Sequence, residues 1–261
     1  TTEESLSVAT YNINFSNQDL PAVIESIRES GADVVCLQET NRESYMHIRR
    51  TLGETYSEIR FNPPDDQAYA SGFGVLSKYP IDEAKFIPPE HGMFGTCVMK
   101  IDFEGRPIQV VDVHLEPIRL RRGGSLASLM SAMIAAERTR IQEIQLIHES
   151  IELDLPTLIA GDFNSMPGFQ TLEYLEENGF IDSFSEVQEE SQPTWHWPNR
   201  IGEWRLRLDY IWHDEHFTTT ESEILESDAS DHYLLVSRMK FYPDGVPETL
   251  TEETTEDFVN E

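Results

Sequence analysis

The chain has 261 residues, of which 48 are Asp or Glu and 19 are Lys or Arg, so its formal net charge is −29 at pH 7. This acidic balance excludes a protein whose whole surface attracts nucleic acid or anionic lipid. Hydrophobic residues make up 39% and aromatic residues 10% of the chain, which is enough for a buried core and excludes disorder driven by charge.

Apolar segments of strand length recur along the chain and alternate with helical patterns. Several are apolar at consecutive positions, as in residues 34–37, which is typical of strands covered on both faces. The predicted strands are residues 6–13, 34–37, 72–76, 98–103, 108–115, 157–160, 208–212 and 234–241.

Three segments show the apolar spacing of helices. Residues 20–30 lie between Asp19, a predicted N-cap, and Gly31, a predicted terminator. Residues 126–151 form the second predicted helix, and the third follows Pro167.

In the second helix, Leu126, Met130 and Ile134 belong to an apolar stripe, which we interpret as a face packed against the core. The predicted strands 98–103 and 108–115 are separated by only four residues, which indicates a hairpin. The pattern is neither strictly βαβ nor all-β and predicts a mixed α/β sandwich.

No apolar run approaches the ~20 residues that a membrane-spanning helix requires, so we expect a soluble protein without a transmembrane segment. The sequence begins at Thr1 and shows no basic-then-apolar leader, which leaves the compartment open between secreted and cytoplasmic. Cys36 and Cys97 either pair or remain buried thiols, and the apolar run around Cys36 favours buried thiols.

No internal repeat or linker divides the chain, so we expect one domain over residues 1–243. Residues 244–261 contain seven acidic residues and no basic residue. This composition predicts a flexible acidic tail.

Polar residues stand where several predicted strands end. Asn12 ends the first apolar run, Glu39 follows the second, His114 lies near the end of a later one, and Asp162 and Asn164 follow residues 157–160. In open α/β sheets the crevice at the strand ends binds ligands, because loops converge there on a rigid scaffold.

Three further polar residues precede strands instead of ending them. Asp209 opens the strand 208–212, and Asp231 and His232 precede the strand 234–241. If these strands run antiparallel to the others, their beginnings lie at the same edge as the other polar residues.

Taken singly, each of these residues has a structural explanation as a cap, a turn residue or a satisfied core histidine. Together, two amides, four carboxylates and two histidines supply oxygen ligands for a hard cation and bases for proton transfer. Hydrolysis of a phosphoester requires this combination.

Six short motifs occur in a fixed order: Thr10-Tyr11-Asn12, Gln38-Glu39, His114-Leu115, Gly161-Asp162-Phe163-Asn164, Arg207-Leu208-Asp209-Tyr210 and Ser230-Asp231-His232. In this order they resemble the endonuclease/exonuclease/phosphatase superfamily, and the resemblance covers residues 6 to about 241. It implies a four-layered α/β/β/α sandwich of two mixed sheets flanked by helices.

The resemblance also implies a metal site. Glu39 would hold the catalytic Mg²⁺, or Mn²⁺, with Asn12 beside it. Asp231 would help to position His232 or a second metal ion.

The remaining roles implied by the resemblance concern the reacting groups. Asp162 would orient or deprotonate the attacking water, and Asn164 would hydrogen-bond the phosphate and the nucleophile. His232, held in its tautomer by Asp209, would contact the phosphate or act as a general base. His114 would donate to the scissile phosphate or to the leaving oxygen.

His114 indicates which branch of the superfamily the chain resembles. Members that cut at abasic sites commonly carry Tyr at this position, whereas nonspecific deoxyribonucleases and sphingomyelinases carry His. The deoxyribonuclease branch pairs that His with a Glu on an earlier strand, and residues 70–76 contain no acid. The sequence therefore disfavours the deoxyribonuclease branch.

Two segments near the predicted site are rich in arginine. Residues 117–140 contain five arginines, and residues 195–207, which we interpret as a loop, contain three. These segments are either solvated surface or attract phosphate to the cleft. Under the second interpretation, the substrate-binding candidates are Arg121, Arg122 and Arg200.

The second arginine-rich segment also contains Trp195, Trp197 and Trp204. Indole rings at such a place either stack on a base or sugar, insert at a lipid surface, or pack beneath the segment. We take Trp195 as a substrate-binding candidate.

The sequence thus predicts a Mg²⁺-dependent phosphoesterase that hydrolyses a phosphodiester by in-line attack of water. Its expected substrate is a nucleic acid or a phospholipid head group, and we expect a monomer. Stable coating of duplex nucleic acid is disfavoured, because it depends on many contacts between phosphates and Lys or Arg. An inositol-phosphate or other phosphomonoesterase is the alternative activity, and a noncatalytic binding scaffold is the alternative of another class.

Overall fold

The computed structural model describes residues 4–62, 70–119, 125–199 and 202–246. Its strands are β1 (Ser5–Asn12), β2 (Val34–Gln38), β3 (Glu58–Asn62), β4 (Phe73–Ser77), β5 (Ile81–Ile87), β6 (Thr96–Phe103), β7 (Arg106–His114), β8 (Thr157–Asp162), β9 (Ile181–Asp182), β10 (Trp195–Asn199), β11 (Gly202–Leu206), β12 (Asp209–His213), β13 (Phe217–Leu225) and β14 (Leu234–Phe241). The helices are α1 (Leu20–Ser30), α2 (Arg42–Leu52), α3 (Leu126–Ser150), α4 (Gln170–Glu177) and α5 (Ser183–Val187).

Twelve of these strands form two six-stranded sheets. The first sheet has the order β13-β14-β1-β2-β4-β3, and the second has the order β5-β6-β7-β8-β12-β9. Both sheets are mixed: β1 is parallel to β2 and antiparallel to β14, and β8 is parallel to β7 and antiparallel to β12. The predicted two mixed sheets are confirmed.

Three apolar cores separate the layers. The two sheets pack on each other through side chains such as Val8 and Val110. The first sheet also packs against α1 and α2, and the second packs against α3 and α4 through residues that include Ile144 and Leu172. This order of layers confirms the predicted four-layered sandwich.

The alternation of side chains along each strand decides which polar residues enter the space between the sheets. In β1, Leu6 and Val8 face the second sheet whereas Ala9 and Tyr11 face the helices. Because the period of a strand is two residues, Asn12 continues the face that begins with Leu6. Asn12 is therefore a polar continuation of a row that faces the space between the sheets, and Asp162 continues the row of Leu158 and Ala160 in the same way.

Helix α1 confirms its predicted ends. The side chain of Asp19 accepts a hydrogen bond from the backbone N–H of Ala22, and Gly31 ends the helix with a left-handed φ of 61°. The hairpin between β6 and β7 is also confirmed, and its turn is formed by Glu104 and Gly105, both with positive φ.

The apolar stripe predicted on the second helix is wrong for the N-terminal half of α3. Leu126, Met130 and Ile134 are 73%, 56% and 52% exposed, whereas the buried side of the helix begins at Ala136. Among the described residues no layer covers those first turns, so periodicity alone gave the wrong environment.

Cys36 and Cys97 are both buried and free, as the apolar run around Cys36 predicted. Within the described ranges, no helix is long and apolar enough to cross a membrane. Most of the predicted acidic tail, from residue 247 onward, lies outside the described residues.

Candidate active site

Adjacent strand ends bring the predicted site residues together at one end of the space between the sheets. His114 is the register partner of Asp162 across β7 and β8, and Asp209 is the register partner of Asp162 across β12 and β8. The antiparallel direction of β12 places Asp209, its first residue, at the edge where β8 ends. The expectation about antiparallel strands holds for this residue.

Asn12 joins the two sheets at this edge. Its Nδ2 donates to Glu39 Oε1 at 3.1 Å and to Asp162 Oδ2 at 3.0 Å. Glu39 has a positive φ of 58°, an uncommon conformation for a residue with a side chain, and its Oε2 accepts from the backbone N–H of Phe15 at 3.1 Å. The amide thus positions two carboxylates that come from different sheets.

Asp162 lies where several groups converge. Its Oδ1 accepts from the backbone N–H of Asn164 at 2.9 Å, and its Oδ2 lies 3.5 Å from His114 Nε2 and 3.7 Å from His232 Nε2. Burial raises the pKa of Asp162, and the charge of His232 offsets part of that rise.

Asp209 holds His232 in place. The Nδ1 atom of His232 lies 2.9 Å from Asp209 Oδ2, so this nitrogen carries the proton of the hydrogen bond. Burial disfavours the charged imidazole, but the carboxylates of Asp209 and Asp162 outweigh it and raise the pKa of His232 to about 10. His232 is therefore protonated at neutral pH.

His114 has the opposite electrostatic environment. Burial lowers its pKa to about 4 despite the nearby Asp162, so its imidazole is neutral at neutral pH. Its ring stacks on Phe94 with 3.9 Å between centroids and 14° between planes. Residues 70–76 supply no acidic partner, in agreement with the sequence, and an aromatic face lies beside the histidine instead.

Asn14 belongs to the site, although the sequence analysis did not select it. Its Nδ2 donates to Asp231 Oδ1 at 2.9 Å, and Trp195 Nε1 donates to Asp231 Oδ2 at 3.3 Å. Asn14 also has a positive φ of 57°. The repeated Asn two residues beyond Asn12 was the available signal for this contact, whereas no local signal marks Phe94.

Two groups of residues differ in how well they suit the binding of a divalent cation. The carboxylates of Asp162 and Asp209 and the imidazole of His232 lie within 4.8 Å of one another. His232 uses Nδ1 to donate to Asp209, so only its Nε2 is available to a cation, and only when that nitrogen is deprotonated. This group therefore suits a cation that prefers oxygen less well than a set of carboxylate and amide oxygens does.

Glu39, Asn12 and Asp231 fit an oxygen-liganded cation better. Burial raises the pKa of Glu39, and the charge of Asp231 adds to that rise. No Lys or Arg among the described residues forms an ion pair with Glu39 or Asp231. Mg²⁺ prefers oxygen ligands, and a cation bound there would offset negative charge that the nearby His232 compensates only in part.

Asn164 is fixed by its own loop. It has a positive φ of 50°, and its Nδ2 donates to the carbonyl of Leu115 at 3.0 Å. Its carbonyl accepts from Arg140 Nη1, and Arg140 Nη2 forms an ion pair with Glu137 Oε2 at 3.1 Å. Helix α3 therefore supports the loop that follows Asp162.

Two arginines of the arginine-rich segments are buried instead of facing the cleft. Arg140 is fully buried against Glu137, and Arg207 forms an ion pair with Asp182 at 2.6 Å. Neither interpretation of the arginine-rich segments, as solvated surface or as phosphate-attracting surface, holds for these two residues. Each arginine is neutralised inside the protein. The substrate-binding candidates Arg121, Arg122 and Arg200 lie outside the described residues.

A pair of buried glutamates lies just beyond His114. The backbone N–H of Glu116 donates to Glu143 Oε2 at 2.9 Å. Burial is the main cause that raises the pKa of Glu143 to about 8 from an ordinary value of 4.5, and the charge of Glu116 adds to it. The native protein therefore retains a proton there that the unfolded chain has lost.

This proton makes stability depend on pH. Its contribution is fully present below about pH 4.5 and is lost as the pH rises through about 8. We expect Glu143→Gln, which keeps a neutral side chain, to exceed the native protein in unfolding free energy by about 1–3 kcal/mol near pH 9 and to differ little near pH 5. Urea unfolding at both pH values measures this.

Glu149→Gln is the matched control, because Glu149 is an exposed glutamate on the same helix. It should show no such pH-dependent gain. Equal gains in both variants, or none for Glu143→Gln, would contradict the expectation.

The sequence and the fold were compared with known proteins. The model of the endonuclease/exonuclease/phosphatase family matches residues 9–232. Protein angel homolog 2 from Homo sapiens is 27% identical over 175 residues, which cover 60% of this chain and 30% of that protein. The Mus musculus protein of the same name matches at 27% over 172 residues. The chain thus spans 30% of the length of these curated relatives.

Solved structures share the fold. An endonuclease/exonuclease/phosphatase from Beutenbergia cavernae superposes with a TM-score of 0.70 at 19% identity, covering 92% of this chain and 72% of that one. D. rerio TDP2 complexed with a single-strand DNA product gives a TM-score of 0.70 at 16% identity, covering 91% of this chain and 100% of that one. At these identities the likeness shows the fold alone.

Proposed function

Because the chain belongs to the endonuclease/exonuclease/phosphatase family, whose members are generally hydrolases that act on phosphoesters, we propose that it is a Mg²⁺-dependent phosphodiesterase. The observation that carries this proposal is the convergence of Asn12, Glu39, Asp162 and the two histidines at one end of the space between the sheets. Carboxylates and amides meet there with one neutral and one cationic histidine. The distances between these groups are within the hydrogen-bonding range or slightly beyond it.

Glu39, with Asn12 and Asp231 beside it, would hold the cation. When bound, Mg²⁺ polarises a phosphate oxygen and neutralises the charge that develops on it. Mn²⁺ also suits oxygen ligands of this kind.

Different side chains of the site are suited to accept and to donate protons. Asp162 is the acceptor that lies close to both histidines, and it is suited to orient the attacking water and to take its proton. The raised pKa of Asp162 makes it a stronger base than an ordinary aspartate. Asn164 lies beside it, held by the contact between its backbone N–H and Asp162 Oδ1.

The two histidines are suited to different tasks. His232 is cationic and is suited to bind the phosphate and to stabilise the charge that accumulates on its oxygens. His114 is neutral, so it can donate one hydrogen bond to the phosphate or leaving oxygen without adding charge. Groups whose pKa values are pushed apart by their surroundings are typical of acid–base sites.

A substrate panel tests the class of reaction. Plasmid DNA, single-stranded RNA, sphingomyelin and inositol phosphates are each incubated with Mg²⁺ and with chelator. Diester hydrolysis that requires the metal supports the proposal. Hydrolysis of inositol phosphates alone favours the monoesterase, and no hydrolysis of any substrate favours the binding scaffold.

Glu39→Gln tests the metal site directly. It removes one negative charge while it keeps the side-chain shape, and we expect Mg²⁺ affinity measured by isothermal titration to fall by about 10–100-fold or more. Glu177→Gln, which removes the same charge from an exposed position on α4, is the control and should bind Mg²⁺ as the native protein does. Unchanged affinity in Glu39→Gln would reject Glu39 as a ligand.

A further inference from the structure

Residues 195–199 and 202–206, predicted to be part of a loop, form the strands β10 and β11 of a two-stranded antiparallel ribbon. One bridge, between Trp195 and His232, connects this ribbon to the candidate site. The ribbon therefore begins directly beside His232.

Tryptophans occupy one face of the ribbon. Trp195 and Trp197 are two residues apart on β10 and so share a face, and Trp204 is the register partner of Trp197 on β11. Leu206 is the register partner of Trp195 and completes this face. We call Trp195, Trp197 and Trp204 the aromatic strip.

The aromatic strip leads outward from the site. The rings of Trp195 and His232 are 6.5 Å apart, and the rings of Trp195 and Trp197 are 6.2 Å apart with 15° between their planes. Trp197 and Trp204 are 50% and 52% exposed. About half of each outer tryptophan is therefore exposed to solvent. This exposed fraction is larger than that of a tryptophan packed beneath the ribbon.

The opposite face of the ribbon is polar. Arg205 is the register partner of His196, and Arg205 forms an ion pair with Glu203 at 2.7 Å. The ring of His196 stacks on Tyr233 at 4.8 Å. The ribbon is thus amphipathic, and its aromatic face starts at the phosphate-binding end.

The geometry favours a ligand that presents planar groups beside its phosphates. In single-stranded nucleic acid every phosphate is flanked by bases, whose faces stack on aromatic side chains regardless of sequence. A bilayer would meet a strip only one ribbon wide on a protein with a net charge of −29, which repels anionic surfaces. Stacking adds affinity without the many cationic contacts that duplex binding requires.

We propose that the aromatic strip is a stacking platform for unpaired nucleobases, and that the substrate is single-stranded nucleic acid whose scissile phosphate lies beside His232. This inference rests on the proposed phosphodiesterase function and selects its substrate class. Trp197 and Trp204 contact the bases, and Trp195 links the platform to Asp231 and His232.

The test measures binding separately from hydrolysis. The full chain is titrated, with chelator present, into a fluorescent oligothymidylate and into an oligomer of the same length and charge that carries abasic sugars. We expect tighter binding to the base-bearing oligomer by about tenfold or more, and Trp197→Ala and Trp204→Ala should each reduce that preference severalfold. Trp197→Phe keeps an aromatic face and should retain most of it.

Met46→Ala is the control, because Met46 is an exposed apolar side chain on α2, and it should leave the preference unchanged. Equal affinity of the native protein for both oligomers would overturn the inference, as would a preference that survives both tryptophan substitutions. Binding to phosphatidylcholine vesicles in place of the oligomers would also overturn it. A base preference without hydrolysis would refute only the proposed function, and hydrolysis without a base preference would refute only this inference.

Discussion

Replacing His232 with alanine is expected to lower the rate of phosphodiester hydrolysis by about 10²–10⁴-fold. His232 is the cationic group nearest to Asp162, and its orientation is fixed by the 2.9 Å contact with Asp209. Alanine removes the charge that stabilises the phosphate oxygens as the bond breaks. The measurement is kcat with Mg²⁺ at neutral pH, on the substrate that the panel identifies.

His47→Ala provides the matched control, because His47 is exposed on α2 and lies outside the site. It should keep native activity. Asp209→Asn should lose less than His232→Ala, since the imidazole remains but is no longer opposite a full negative charge. A folded His232→Ala protein with activity within a few-fold of native would reject the role assigned to His232.

The raised pKa of His232 makes the stability of the folded state depend on pH. Burial opposes protonation, but Asp209, Asp162 and Asp231 raise the pKa to about 10 from an ordinary value of 6.5. A raised histidine pKa stabilises the folded state fully below about pH 6.5, and that contribution is lost as the pH rises through about 10. His232 therefore stays protonated throughout the neutral range.

Arg140→Met is expected to lower the unfolding free energy by about 3–5 kcal/mol, because it leaves the buried carboxylate of Glu137 without its partner. It also removes the donor to the carbonyl of Asn164, in the loop that follows Asp162. We expect the rate of hydrolysis to fall as well, since this loop carries Asn164, whose backbone N–H donates to Asp162. Urea unfolding measures the stability of the variant.

Arg28→Met is the matched control, because Arg28 forms an ion pair with Glu25 at the same i,i+3 spacing on α1 but is solvent-exposed. It should cost less than about 1 kcal/mol. Adding Glu137→Gln to Arg140→Met should recover part of the loss, because glutamine still accepts from Thr171 without burying a charge. A loss in Arg140→Met no larger than that in Arg28→Met would contradict the buried ion pair's importance.

The positions of the site residues were predictable because they follow from local pattern. An apolar run that ends in Asn12 or Asp162 indicates a buried strand with a polar residue at its end. The two-residue period of a strand then places both side chains between the sheets. The same pattern predicted the mixed sandwich, whereas the direction of β12 was left as a condition that the structure settles. The resemblance to a superfamily added roles that no spacing supplies.

The environments of charged and apolar side chains outside the strands were not predictable. Arg140 and Arg207 lie in segments that look like solvated basic surface, yet both are buried, Arg140 against Glu137 three residues earlier and Arg207 against the distant Asp182. Leu126 and Met130 have helical spacing but project from the first turns of α3, where no described layer covers them. In each case the packing of layers that are distant in sequence decides whether the side chain is buried or exposed.

The topology of the first sheet also has a consequence for how the protein is made. Every other described strand lies in the sequence between β1 and β14, yet these two strands pair directly, with Leu6 opposite Met239. Such long-range pairing forms slowly, because a long loop must close first. Asn12 ends β1 and His232 precedes β14, so the candidate site comes together only after both strands have been synthesised. A ribosome-bound fragment that ends before Asp231 leaves β1 with an open edge and lacks His232, so the candidate site is incomplete until this part of the chain has been made.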